Sequence, residues 1–239
     1  MNCRRVHFVV VLVAVVAFCQ ACAPVYIPSA RHTHQLDEKG EFGGGAYLGT
    51  NGVDLQGAYA LKDHAGVAGA LSIGRNSEES DDDFHKHTYG ELAAVYLAPV
   101  GKMGRLELLG GVGLGSAASV DNYQFSGSNQ QVKATGRYHK LFLQSNIGLE
   151  TDWVETGLAL RMGQVTFREF ETASETFDNS ESGTFFEPAL FARLGSRPVK
   201  FEAQLGLSEP LQPDEDIVFD YRPLLFTIGV HVGLEEITP

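Results

Sequence analysis

The chain has few cysteines, few basic residues and no apolar run long enough to cross a membrane as a helix, and each shortage removes a class of protein. Only three cysteines occur in 239 residues. Cys3 and Cys19 fall inside an N-terminal leader, so the exported chain keeps Cys22 alone, and a disulfide framework is excluded although the compartment would permit one. Lys and Arg number 18 against 30 Asp and Glu, for a net charge of −12. That excess of acid argues against nucleic acid as a partner and against peripheral attraction to anionic lipid. The apolar run Phe8–Phe18 spans 11 residues, whereas a membrane-crossing helix needs about 20.

What is there instead begins with an export leader. Arg4 and Arg5 form a positive n-region, Phe8–Phe18 is the h-region, and small or polar residues lead to Cys22. The leader is read as Met1–Ala21, and its loss makes the chain two charges more negative. Gln20-Ala21-Cys22 puts a small residue just before a cysteine, the arrangement of a lipoprotein leader cut before Cys22 with acyl chains, palmitate among them, on the new terminus. The alternative is an ordinary leader cut near Ala21 or Ala23. Lipidation at Cys22 is the reading taken, because a lone terminal thiol has little other use in an oxidising space. The chain then divides into a signal peptide (1–21), an N-terminal periplasmic tether (22–40) and a barrel domain (41–239).

Ten segments with period-2 patterning follow the tether. They are Glu41–Gly49, Val53–Leu61, Ala65–Arg75, His87–Leu97, Gly104–Gly115, Tyr138–Glu150, Trp153–Phe167, Phe185–Gly195, Val199–Leu207 and Leu224–Leu234. Most reach the roughly 9–11 residues that a tilted strand needs to cross a bilayer. The connections Lys62–His64, Pro99–Lys102, Thr151–Asp152 and Ser196–Pro198 are short. Asn76–Lys86, Ser116–Arg137, Arg168–Thr184 and Ser208–Pro223 are long and polar, and the first hairpin at Thr50–Gly52 is the one short connection on their side. Short turns on one rim and long loops on the other predict an all-β, antiparallel up-and-down transmembrane barrel of about ten strands in the outer membrane. Long loops are expected outside and both termini in the periplasm.

Alternation alone also fits a soluble β-sandwich or a lipocalin-like barrel. The composition of the second face favours the membrane. It mixes Gly, Ala and Ser with charges of both signs: Arg105, Glu107, Glu155, Arg161, Glu187, Arg193, Lys200 and Glu202. Small residues with opposed charges suit a cramped polar lumen. Bulky Leu, Val, Ile and Phe opposite them suit lipid. Tyr59, Tyr96, Trp153, Phe167, Phe185 and Phe226, near segment ends, are read as interface girdles.

The stretch Cys22-Ala23-Pro24-Val25-Tyr26-Ile27-Pro28, followed by Glu38-Lys39-Gly40-Glu41, resembles the start of small outer-membrane barrel proteins of Bacteroidota type. Phe84-His85-Lys86-His87 and Phe186-Glu187-Pro188-Ala189-Leu190 are similar to the same group. The resemblance implies an outer-membrane location with a lipoprotein-like leader, and it brings no catalytic residue. The chain departs from many outer-membrane proteins in ending Glu235-Glu236-Ile237-Thr238-Pro239 rather than on an aromatic residue.

Candidate sites are few. The acidic run Glu78-Glu79-Ser80-Asp81-Asp82-Asp83, with His85 and His87 beyond it, has oxygen and imidazole donors. It lacks the order and glycine of a calcium loop and reads as a solvated outer loop; His32 and His34 in the tether invite the same reading. His139 near Ser145 is the closest approach to a nucleophile–base pair, but Ser145 falls on the lipid-facing register; His231 faces the lumen. Gly111–Gly115 carries a GxGxG without a strand-to-helix turn and reads as close-packing positions rather than a phosphate loop. No catalytic residue, metal or cofactor is expected. Outer-membrane lipid is the expected partner, and no protein partner is named by the sequence. The function expected is a non-enzymatic structural or surface protein. The alternatives are a narrow channel for small solutes or ions, and a soluble lipid-anchored β-domain that binds a ligand.

Overall fold

In the computed structural model, the residues described are 24–36, 38–77, 84–125, 128–172, 176–177, 181–213 and 217–234. The leader, Cys22 and the acidic run Glu78–Asp83 lie outside them.

Twelve strands form a single antiparallel sheet: β1 (Phe42–Gly49), β2 (Gly52–Lys62), β3 (Ala65–Ser77), β4 (Phe84–Val100), β5 (Gly104–Phe125), β6 (Ser128–Glu150), β7 (Val154–Thr172), β8 (Thr176–Phe177), β9 (Ser182–Ser196), β10 (Val199–Leu207), β11 (Glu209–Pro210) and β12 (Leu224–Leu234). β8 and β11 are two-residue additions to the ladders of β7 and β9. The other ten are the staves of a barrel. β7 pairs with β9, and the barrel closes where β12 meets β1 from Phe42↔Leu234 to Gly49↔Thr227. Closure leaves no free edge among the ten, which removes the template that an open sheet offers to other chains.

Burial is inverted relative to a soluble domain. Leu143 and Phe201 are 71% exposed, while Arg161, Glu187 and Arg193 are 0% exposed. Leu92, Val112, Leu114, Ile147, Leu160, Leu190 and Ile228 continue the exposed apolar belt around the whole girth. A sandwich or a ligand-binding soluble barrel would bury these residues and expose the charges. An apolar surface of this extent is far beyond what a water-soluble monomer tolerates.

Two expectations from the pattern need correction. The loops at Ser116–Arg137 and Arg168–Thr184 are largely strand. β5 and β6 pair without a break from Gly104↔Leu149 to Phe125↔Ser128. Above the apolar belt the outward face turns polar, as at Ser116, Arg137 and Glu169, so the apolar-outward alternation fades while the backbone ladder continues. Phe167 and Phe185 are not girdle residues: they are 1% and 0% exposed and point inward. Phe167 shares the odd register of Arg161, and Phe185 that of Glu187, which fixes their face. Tyr59, Tyr96, Trp153 and Phe226 do point outward.

The inward glycines of β5 have a packing role. Gly111, Gly113 and Gly115 lie under the rings of Phe142, Tyr89 and Tyr138 respectively, where an added Cβ would collide with the ring. Stripping side chains from one inner row gives neighbouring aromatics room to fold flat against the wall.

Candidate functional site

The expected periplasmic tether is largely absent, because residues 24–36 run inside the barrel. Every one of them is buried. The chain leaves β1 toward the lumen through Gly40, whose φ of 86° is open to glycine at no steric cost. It then passes up the bore as a segment with almost no backbone pairing of its own, apart from a bridge at Tyr26. A buried segment in that state has backbone polar groups that must be satisfied by the surrounding wall.

The wall supplies those partners in tiers. Nearest the short-turn rim, the Leu36 amide donates to Glu107 at 3.2 Å, and Asn146 donates to Glu107 at 2.8 Å. One level up, Asn146 and Gln144 donate to the His32 carbonyl, and His32 Nε2 lies 2.9 Å from Glu91. Arg193 donates to the carbonyl and hydroxyl of Thr33, and the Thr33 hydroxyl donates to Glu202 at 2.9 Å. Gln204 brackets Arg31, accepting from its amide at 2.9 Å and donating to its carbonyl at 3.0 Å. Ala30 is gripped in the same way by Asp54 at 3.0 Å and Gln56 at 2.7 Å. At the long-hairpin end, Tyr26 donates to Glu187, and the Lys140 ammonium reaches both Tyr26 Oη (2.7 Å) and Glu187 (2.6 Å).

Wall charges also pair with one another. Arg161 makes a two-point contact with Glu91 at 3.0 and 3.2 Å and lies over the Phe142 ring. Arg193 bridges Glu202 and Glu155, and Lys200 joins Glu155 (3.2 Å) to Glu150 (3.0 Å). Such pairs offset their desolvation only where geometry is good and the remaining lone pairs are bonded. Here each carboxylate has several donors.

Of the eight charges expected in the lumen, Glu107, Glu155, Arg161, Glu187, Arg193, Lys200 and Glu202 are buried there. Arg105 is half-buried at the short-turn mouth, donating to the Gly104 carbonyl at 3.1 Å beside Lys102 and Glu150. Parity along β4 and β6 also turns Glu91 and Lys140 inward, though neither is among the eight expected charges, and the residues Tyr26, Arg31, His32 and Thr33 read in sequence as tether rather than as lumen. A signal for the plug exists. Among the described residues, six buried strand carboxylates (Asp54, Glu91, Glu107, Glu155, Glu187, Glu202) face four buried strand cations (Lys140, Arg161, Arg193, Lys200). A low-dielectric bore does not tolerate that surplus, and Arg31, 3.7 Å from Glu187, supplies a further cation.

The other candidates are also placed. His85 and His87 share a face as a His-x-His on a strand must, with Nε2 and Nδ1 3.1 Å apart, and His87 turns its other nitrogen to Ser72. Among the described residues no group of three or more metal-ligating side chains is assembled. His139 and Ser145 both lie half-buried on the outer face of β6, about 20 Å apart along the strand, too far to act together. His231 is in the lumen, 3.8 Å from Glu202, with its ring near His34. His34, Gln35, Glu155, Lys200 and His231 surround a cavity of about 20 Å³, room for about one water.

A scan against family models and a search of the curated proteins find no match. Among solved structures, the translocator domain of the autotransporter NalP from Neisseria meningitidis is similar at 14% identity, covering 82% of this chain and 86% of that one, with a TM-score of 0.47. The barrel assignment rests on the strand pairing of the chain itself.

Proposed function

We propose that this chain is an outer-membrane β-barrel sealed by its own N-terminal segment, with a structural or surface role and no enzymatic activity. The observation that carries the reading is the lumen, in which residues 24–36 are buried end to end among paired charges. An open pore needs a hydrated path, and here the bore is filled by chain. The membrane location is supported by the continuous exposed apolar belt and by the all-strand, edge-free closure that a lipid environment demands. The contrast between short turns and long hairpins supports placing the hairpins outside. Acylation of Cys22 belongs to the same reading and is supported by the leader that precedes it.

The test is migration of the detergent-extracted protein on a gel with and without boiling. A folded barrel runs faster unboiled and shifts on heating. A chain lacking its leader and Cys22 that stays folded in buffer without detergent contradicts the membrane reading. Mass spectrometry of the mature N-terminus decides the acylation, and an unmodified terminus rejects it.

A further inference from the structure

We infer that the barrel carries its own N-terminus across the membrane, so that the chain preceding residue 24 emerges on the long-hairpin face while the C-terminal strand ends on the other. The inference rests on the membrane reading above. It follows from the direction of the plug.

One end of the plug is fixed at the short-turn rim. Leu36 is bound to Glu107, Gln35 packs on Gly148 near the end of β6, and the Gly40 amide donates to the Ala60 carbonyl at 2.8 Å. The other end is fixed at the opposite mouth. The amides of Val25 and Tyr26 donate to the Asp220 carbonyl at 3.0 and 3.2 Å, the Arg222 amide donates to the Tyr26 carbonyl at 3.0 Å, and Tyr26 forms a parallel bridge with Tyr221. Those partners belong to the long connection between β10 and β12. Val25 and Tyr26 also join a buried aromatic cluster of Tyr138, Phe167, Phe185 and Phe219 at that mouth. The last strand ends at the short-turn rim, where Leu234 pairs with Phe42.

The two described ends of the chain therefore lie at opposite mouths, against the expectation that both termini share one side. Walls packed on the plug leave no bore through which the chain could return. Two residues span at most about 7 Å, so acyl chains on Cys22 would enter the leaflet on the hairpin side.

The experiment uses the full chain with a short epitope inserted after Ala23 in one version and appended after Pro239 in another. Both versions must retain the heat-modifiable gel shift. Antibody is applied to intact cells and to permeabilised cells. Threading predicts that the Ala23 epitope is labelled on intact cells and the Pro239 epitope only after permeabilisation. The inverted pattern keeps the ends on opposite sides but refutes the outward placement of the hairpins. Both epitopes labelled on intact cells, or both only after permeabilisation, overturn the threading itself.

Discussion

On β6 the outer face carries Leu141, Leu143, Ile147 and Leu149, and the inner face carries Lys140, Phe142, Gln144 and Asn146. The outer side chains have few fixed neighbours, and lipid sets no shape for them to fit. The inner ones are each held by a named partner: Lys140 by Glu187 and Tyr26, Phe142 by the Arg161 guanidinium over its ring, Gln144 by Arg161 and the plug, Asn146 by Glu107 and the plug. The same backbone thus presents a permissive surface on one side and a demanding one on the other. The outer face asks only for hydrophobicity, whereas the inner face asks for particular atoms in particular places.

Substitutions sharpen that contrast. The largest effect is expected from Arg193→Ala, which takes the guanidinium from both Glu155 and Glu202, leaves Glu202 with neutral donors, and releases the Thr33 carbonyl. Removing one partner of a buried pair costs about 3–5 kcal/mol, read as a marked fall in the temperature at which the unboiled gel band converts to the heated form. Leu143→Arg comes next. A charge on the lipid face near the bilayer midplane costs about 2–4 kcal/mol, and unfolding in lipid vesicles measures it. Should Leu143→Arg prove neutral there, the outer face does not meet hydrocarbon.

Smaller effects separate the faces at single glycines. Gly113→Val drives a side chain into the Tyr89 ring and should lose about 1–3 kcal/mol from overpacking. Gly110→Ala, on the outer face, meets Leu143 Cδ2 only at 3.4 Å and should leave the gel shift unchanged. Equal losses at both would mean that the inner glycines have no special packing role. The smallest effect is expected at Arg137→Ala. Arg137 pairs with Glu169 at 3.6 Å where both side chains are about 70% exposed, and such pairs are worth under about 1 kcal/mol.

The staves were legible because period-2 alternation survives wherever one face meets lipid and the other meets the lumen. All ten segments are found, and seven of the eight charges lie within the lumen, since parity along a strand fixes the face. The hairpin extensions were not legible, because the outward residues above the belt, such as Ser116, Arg137 and Glu169, are polar and no longer mark a lipid-facing side. Parity did mark Phe167 and Phe185 as inward, but position near a segment end was weighed above it. The plug was hidden for a different reason. Pro24, Pro28, His32 and Thr33 show neither a strand nor a helix period, so they read as tether. What orders them is the wall's demand for partners, a property of the assembled barrel and not of the local chain.

Conductance across a planar lipid bilayer tests the sealed lumen most directly. The intact protein should insert without conducting. A version lacking residues 24–36 should open a path whose strands carry six described buried carboxylates against four cations, and should pass cations in preference to anions. Steady conductance of the intact protein, equal to that of the deleted version, would contradict the account.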